Sequence, residues 1–238
     1  MALIEGFRVQ NYRALRDVTL GKLSNQQSGK PLTPFTVVIG KNGVGKNTLF
    51  DAFGFVADCL ANDEEAVEIE GEEDQAKTSV ELTDMRQLGI ATLGTLKEHP
   101  RIKRFRDFLK GWYLSYFYPD AARSLPTAEP QKHLNSRGDN IGNVVQFMVR
   151  EHKDRFNAVL RRIAAKIPGI KSINTQETLD KRLLLCFNDG AFSDPFFSQQ
   201  MSDGTLKVFA HLLLMDDPEP PPFICIEEPE NGLYHKLP

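Results

Sequence analysis

A short glycine-rich segment of the chain combines residue types that can hold a phosphate group. It lies between an apolar run predicted to be a strand and a stretch predicted to be a helix, and it reads Gly40-Lys41-Asn42-Gly43-Val44-Gly45-Lys46-Asn47-Thr48. Glycines permit a tight turn that aims several backbone N–H groups at one anion, and the start of a helix adds its positive dipole end. Lys46 adds a mobile positive charge for the β- and γ-phosphates. We therefore predict that residues 40–48 form a phosphate loop, with a glycine-rich turn that holds no ligand as the alternative.

The residue after Lys46 determines how well this loop can hold a metal ion. Such loops usually carry Ser or Thr at that position, whose hydroxyl binds Mg²⁺, whereas this sequence has Asn47. An amide oxygen can ligate a hard cation, but the longer side chain must fit the tight octahedral geometry of Mg²⁺. Thr48 comes one position too late to replace the missing hydroxyl. We therefore take Asn47 as a candidate metal ligand and expect nucleotide binding to survive better than metal-dependent turnover.

A pair of adjacent acids follows another apolar run. Glu227 and Glu228 come directly after Phe223-Ile224-Cys225-Ile226, which is expected to form a buried strand. The carboxyl ends of the strands form the ligand edge of an α/β sheet, so both acids are expected beside the phosphate loop. Glu227 would contact Mg²⁺ directly or through water, and Glu228 would polarise the water that attacks the γ-phosphate. Two solvated acids at the end of a strand are the alternative.

A third segment, Ser202-Asp203-Gly204, precedes a stretch from Leu206 to Met215 that is expected to be helical. The side chain of Ser202 or Asp203 could cap that helix. The same hydroxyl, glycine and exposed helix N–H groups would also make a receptor for a γ-phosphate. From the residues alone both interpretations stay open.

Apolar patterns predict the elements that position these residues. Residues 3–20 suit two short strands, and the β-branched run Phe35–Ile39 predicts a buried strand that leads into the phosphate loop. Thr48–Leu60 suits a helix, a helix-rich region is expected over 82–167, and Leu183–Phe187 predicts a further strand. Residues 62–74 hold eight acidic side chains and no basic one, which predicts a solvated linker.

Composition excludes several classes of protein. Hydrophobic residues make up 41% and charged residues 26% of the 238 residues, which is typical of a soluble globular chain. A net charge of −3 excludes a general polycation, and no apolar run approaches the roughly 20 residues that span a bilayer. The three cysteines are far apart and form no CxxC pair, so neither a zinc site nor a disulfide framework is indicated. We expect a cytoplasmic protein without a membrane partner.

The order of the three motifs resembles ATP-binding-cassette-type ATPase heads of the SMC, RecF and OLD kind, in particular small bacterial AAA family ATPases with that head. MSDGTLKVFAHLLL is similar to their signature motif, ICIEEPENGLYHKL to their second nucleotide motif, and IEGFRVQNYRALRDVTL to their first strands. The stretch from His133 to Gln146 is similar to part of their helical lobe.

That resemblance implies an α/β P-loop NTPase fold, an ABC/SMC-like head with a mainly parallel sheet and a helical lobe. Residues 1–60 and 180–238 would form a discontinuous nucleotide-binding lobe, 61–81 an acidic linker and 82–179 the helical lobe.

It also implies a mechanism and partners. Two heads would form a homodimer around two ATP molecules with Mg²⁺, so that Ser202, Asp203 and Gly204 act in trans on the nucleotide of the partner. Arg13 matches an arginine near the nucleotide in related heads, with a surface arginine as the alternative. ATP binding would close the dimer and hydrolysis at Glu228 would open it, switching a partner effector protein in DNA repair or anti-phage defence.

The sequence departs from these heads in two places. The strand-rich lobe with its glutamine loop is replaced by the short acidic stretch, in which neither Gln75 nor Gln87 is assigned. The chain stops ten residues after Glu228, before the strand that would carry a switch histidine, and His235 is not that residue. We expect a head that is truncated or degenerate, that is completed by another chain, or whose sheet closes differently.

Two alternative functions follow. The first is a nucleotide-binding module with impaired or no hydrolysis, supported by Asn47 and the missing strand. The second is a DNA-bound scaffold, for which six basic residues interleaved with phenylalanines provide the pattern: Lys97, Arg101, Lys103, Arg104, Arg106 and Lys110. An amphipathic helix with a solvated basic face explains that pattern better, and core or interface packing explains the aromatic residues 112–118.

Overall fold

The computed structural model of this protein describes residues 4–24, 29–61 and 100–232, with the side chains of the first long helix described to residue 56. The chain divides into two compact units: Met1–Leu114 with Pro221–Cys225, and Ser115–Pro220 with Ile226–Pro238. The acidic stretch 62–74, Gln75, Gln87, Lys97 and His235 lie outside the described residues.

The first unit opens with an antiparallel hairpin, which confirms the two strands predicted over 3–20. Strand β1 (Gly6–Tyr12) pairs with β2 (Leu15–Gly21) from Gly6 opposite Gly21 to Tyr12 opposite Leu15. A two-residue connection forces this antiparallel pairing, because a parallel partner would need a long crossover. Arg13 opens the connection with a left-handed φ of 49°.

An aromatic cluster holds the first unit together. It joins β1, helix α1 (Lys46–Ala61), helix α2 (Pro100–Lys110), strand β3 (Trp112–Ser115) and strand β7 (Phe223–Ile226). The ring of Phe53 lies with its centroid 4.5 Å from Phe7, 5.4 Å from Trp112 and 5.2 Å from Phe223, and Trp112 also packs edge-on against Phe108. The packing interpretation of Trp112 is thus confirmed, since aromatic pairs at this spacing add to the free energy of burial.

Strands β3 and β7 pair with one another, and the contacts at their two ends show that they run in the same direction. At one end a Cβ on Gly111 would lie 2.7 Å from Cγ of Pro222. At the other end the Glu227 amide donates to the Ser115 carbonyl at 3.4 Å. Strand β7 confirms the predicted strand Phe223–Ile226, but all four residues are half-buried rather than buried, because in the described part of the chain the strand has a neighbour on one side only.

The second unit packs three longer helices and one short helix with an antiparallel sheet. Its elements, in chain order, are α3 (Pro119–Ala122), α4 (Ile141–Glu151), α5 (Lys153–Lys166), β4 (Ile170–Glu177), β5 (Leu183–Asp189), β6 (Phe196–Phe197), a 3₁₀ turn (Ser198–Gln200) and α6 (Asp203–Met215). The sheet order is β4-β5-β6, and both pairings are antiparallel. Phe187 of β5 and Phe209 of α6 are at most 1% exposed and lie with ring centroids 5.6 Å apart, at the centre of this core.

Two sequence patterns are confirmed in this unit. The apolar stripe of α5 buries Phe156, Val159 and Ile163 completely, as helical spacing predicts. The predicted helix over 206–215 forms and ends at Met215, where the C-cap Asp216 precedes the proline-rich stretch.

The mainly parallel sheet is not formed in the described part of the chain, where two of the three sheets are antiparallel and the third is the pair β3-β7. The buried strand predicted for Phe35–Ile39 is also wrong. This segment has no strand geometry, and its side chains are exposed, with Phe35 at 81% and Ile39 at 89%. A β-branched run becomes a strand only where a neighbour accepts its hydrogen bonds, and none of the described strands pairs with it.

The predicted lobe boundaries at 60, 82 and 180 stay a prediction. Leu185, Phe187 and Phe209 share one core with helices α4 and α5, so that 183–215 packs with the predicted helical lobe. The assignment of nucleotide binding to particular lobes stays a prediction. None of the helices in the described ranges combines the length and the apolar content that crossing a membrane requires.

Candidate functional site

The phosphate loop has the backbone that its glycines allow. Gly43 and Gly45 take left-handed φ values of 81° and 93°, and helix α1 begins directly at Lys46. A Cβ on Gly45 would lie 2.9 Å from Cδ2 of Leu15, so this position excludes a side chain by space as well as by φ. Residues 40–44 are exposed. The predicted turn-to-helix arrangement is therefore present, with a solvent-facing loop in front of a helix N-terminus.

Lys46 turns its side chain back onto this loop. Its Nζ donates to the carbonyl oxygens of Gly40 at 2.8 Å and Lys41 at 3.0 Å. The ammonium group is thus held at the mouth of the loop by backbone oxygens that carry no formal charge. A phosphate would offer the same ammonium a stronger, charge-assisted acceptor.

Arg13 lies against the helix that follows the loop. Its guanidinium forms an ion pair with Asp51 of α1 and stacks 5.4 Å from the ring centroid of Tyr12. The Tyr12 hydroxyl donates to the Asp51 carbonyl at 3.3 Å, which ties the hairpin turn to α1. The structure therefore places Arg13 beside the loop helix with its charge paired to a carboxylate, and its contact with a nucleotide stays a prediction.

The candidate Mg²⁺ ligand Asn47 lies at the surface. Asn47 is exposed at the start of α1, whereas Thr48 is half-buried. No group of three or more His, Cys, Asp or Glu side chains converges anywhere in the described ranges. Mg²⁺ usually keeps several waters and takes only one or two protein ligands in addition to substrate phosphates. A single amide oxygen from Asn47 fits this kind of coordination, whereas a metal ion coordinated by protein side chains alone would need more ligands.

Ser202 is the N-cap of helix α6, so the capping interpretation is confirmed. Its Oγ accepts from the Thr205 backbone N–H at 3.2 Å and lies 2.9 Å from the Thr205 hydroxyl. Asp203 is bound by Arg123, whose Nη2 lies 2.5 Å from the carboxylate and also donates to the Met201 carbonyl at 2.8 Å. Ser202 and Asp203 remain exposed, so capping leaves this helix start open to solvent.

The two acids begin a tight loop, residues 227–232, which we call the acid loop. Glu227 is half-buried and Glu228 is exposed. Glu228 has a left-handed φ of 43°, unusual for a residue with a side chain. Asn231 stabilises this conformation through two hydrogen bonds. Its backbone N–H donates to the Glu228 carbonyl at 3.0 Å, and its side-chain amide donates to the Glu228 carboxylate at 3.2 Å.

Two residues of α6 that motif analysis missed lie in the interior of the second unit. Lys207 is only 7% exposed, and its Nζ donates to the carbonyls of Glu228 at 2.6 Å and Asn231 at 3.0 Å. Burial lowers the pKa of Lys207, while the carboxylates of the acid loop oppose that shift. One turn later, burial and then the charge of Lys207 lower the pKa of His211 to about 4. The sequence does show a charged residue, Lys207, inside an otherwise apolar helix. It does not show what binds that residue, because the acceptors are distant in sequence.

Each unit thus assembles part of the predicted site. The first unit holds the phosphate loop with Arg13 beside its helix. The second holds the acid loop against the start of α6, where a Cβ on Gly232 would lie 3.7 Å from Cβ of Asp203. The two sets belong to different units.

The model of a known protein family matches this chain over residues 70–237. The description of the family is "AAA domain, putative AbiEii toxin, Type IV TA system". That range contains Ser202–Gly204 and both acids, whereas the phosphate loop precedes it. The loop is therefore an observation independent of the match. Comparison with curated proteins and with solved structures gives no match.

Proposed function

This chain belongs to that AAA domain family of P-loop NTPases, and we propose that it binds ATP with Mg²⁺ and hydrolyses it. The observation that carries the proposal is the phosphate loop, with Gly43 and Gly45 in left-handed conformations and α1 beginning at Lys46. Backbone N–H groups at a helix start bind phosphate well, and the family match supports the same function from a separate part of the chain.

In this proposal the loop amides and Lys46 bind the β- and γ-phosphates. Asn47 and Glu227 are the proposed ligands of Mg²⁺, which would neutralise charge on the phosphates. Glu228 is the proposed base that polarises the attacking water. Its exposure and its fixed backbone suit a group that must meet a water molecule.

The ABC/SMC-like architecture extends the proposal to a homodimer around ATP. Ser202, Asp203 and Gly204 would then receive the nucleotide of the partner head in trans, which the exposure of Ser202 and Asp203 at the start of α6 supports. Because the family description names a toxin of a type IV TA system, we propose that the head switches a partner effector protein in anti-phage defence. A role in DNA repair rests only on the resemblance to RecF-type heads.

A nucleotide-binding module with little or no hydrolysis is the second candidate. Asn47 in the place of a hydroxyl favours it, and so does the absence of strand geometry before the loop, at Phe35–Ile39. Loose support of the loop would affect the alignment needed for chemistry more than it would affect binding.

A DNA-bound scaffold is the third, and helix α2 supplies the observation. Arg101, Lys103 and Arg104 are exposed without an ion pair in the described part of the chain, and Phe105 is 45% exposed. Leu109 is buried, as in an amphipathic helix with a solvated basic face. A salt-dependent shift of duplex DNA, lost when residues 101–106 are reversed in charge, tests this function.

Binding and turnover of labelled ATP distinguish the first two functions. The hydrolysing head predicts turnover that Glu228→Gln abolishes while ATP stays bound, and Lys46→Ala should abolish both. Lys153→Met, on the exposed surface of α5, is the control for loss of a lysine. ATP binding without turnover in the wild-type protein establishes the second function, and no binding at all refutes both.

A further inference from the structure

Lys207 is a buried cation on the apolar side of helix α6. Its neighbours Leu206, Phe209 and Ala210 are each 0% exposed. Removing an ammonium group from water costs several kcal/mol unless hydrogen bonds and charges compensate. The compensation comes from the acid loop, through carbonyl oxygens at 2.6 Å and 3.0 Å.

The acid loop in turn depends on this lysine. In the described structure the loop after Glu227 has no strand partner; its hydrogen bonds are made by Lys207 and Asn231, and Gly232 packs against Asp203. Glu228 has a φ of 43°, a conformation that costs about 1 kcal/mol or more for a residue with a Cβ. Such a conformation persists only where several surrounding contacts stabilise it. Lys207 provides one of these contacts, because it binds the carbonyl of Glu228 itself.

The lysine is also rigidly connected to Ser202. Lys207 is five positions after Ser202, which is about 1.4 turns of helix. Ser202 caps the first turn of α6, and Gly232 at the far end of the acid loop lies against Asp203. Helix α6 therefore connects its own start to the Glu228 backbone. A displacement of the helix start would move Lys207, which binds the Glu228 carbonyl.

We infer that Lys207 is a positioning residue that couples the start of α6 to the carboxylate of Glu228. When the helix start engages a nucleotide, Lys207 holds the acid loop so that Glu228 can polarise water. This inference rests on the proposed function, because the position of a catalytic carboxylate matters only where there is hydrolysis.

The test compares Lys207→Met and Lys207→Arg with the wild-type protein and with the surface control Lys153→Met. Lys207→Met removes both hydrogen bonds to the acid loop, so we expect kcat to fall about tenfold or more, within the range that general-base catalysis contributes, while KM for ATP changes by less than about twofold. Lys207→Arg keeps a cation with several donors and should recover part of the lost kcat. Amide hydrogen exchange of residues 228–232 without nucleotide should speed up in Lys207→Met only.

Each outcome bears on the inference. Unchanged kcat in a folded Lys207→Met protein overturns it, as does an equal loss in kcat and in ATP affinity. If Lys207→Met does not fold, Lys207→Gln replaces it, since the shorter side chain cannot reach both carbonyls. Wild-type protein without turnover overturns the proposed function and the catalytic part of the inference, and the exchange measurement then decides alone whether Lys207 holds the loop.

Discussion

The histidine in helix α6 makes stability depend on pH in a defined window. Burial, and then the positive charge of Lys207, lower the pKa of His211 from 6.5 to about 4. The unfolded chain therefore takes up a proton on this side chain as pH falls through 6.5, whereas the folded chain does so only near pH 4. The contribution of His211 to folding stability is therefore fully present above pH 6.5 and is lost as pH falls toward 4, because the unfolded state binds more protons there.

The size of the effect follows from the shift. At 1.36 kcal/mol for each pKa unit, a shift from 6.5 to about 4 corresponds to about 3 kcal/mol of lost stability. This is a large share of the 5–15 kcal/mol typical of a folded domain. The cost has a visible source, since Nε2 of His211 is buried without a partner in the described structure.

Urea unfolding of wild-type protein and of His211→Gln, each measured between pH 7 and pH 4, tests this prediction. The difference in unfolding free energy between the two proteins should shift by about 3 kcal/mol in favour of the variant as pH falls. His152→Gln, at the junction of α4 and α5, is the matched control and should retain the contribution of His211. A constant difference between wild type and His211→Gln at all pH values would refute the reasoning, as would an NMR titration of His211 near 6.5.

Three further predictions concern the loop and the cap. Gly45→Ala should lower ATP affinity at least about tenfold, because the new Cβ meets Leu15 and the φ of 93° is unfavourable for alanine; equilibrium dialysis measures this, and unchanged affinity would show that the loop backbone is not the binding element. Ser202→Ala should cost about 1 kcal/mol of stability by removing the cap on Thr205, which chemical unfolding measures against Ser136→Ala, and equal values for the two variants would contradict it. Asn47→Ser should raise ATP turnover if metal geometry limits it, and an unchanged rate in a phosphate-release assay would reject that explanation.

Features with local causes could be predicted from the sequence. The turn at Gly43 and Gly45, the helix after it and the helix stop at Met215 each depend on the conformational limits of neighbouring residues, and the structure confirms them, with the first helix beginning at Lys46 rather than at the predicted Thr48. The apolar stripe of α5 was predictable for the same reason, since its period of 3.6 residues lies within one helix.

Features that depend on distant partners could not be predicted. Strand β4 holds only two apolar residues, Ile170 and Ile173, among polar ones such as Lys171 and Asn174, and it forms because β5 pairs with it. Phe35–Ile39 shows the converse, since its composition favours a strand but pairing decides whether one forms. Lys207 escaped motif analysis because its acceptors lie 21 and 24 residues further along the chain.

The account depends on nucleotide binding at the phosphate loop, and titration calorimetry of the protein with ATP and Mg²⁺ measures it directly. We expect binding heat with the wild-type protein that disappears in Lys46→Ala and persists in Lys153→Met. Wild-type protein without binding heat, or Lys46→Ala that binds ATP as tightly as wild type, would contradict the account.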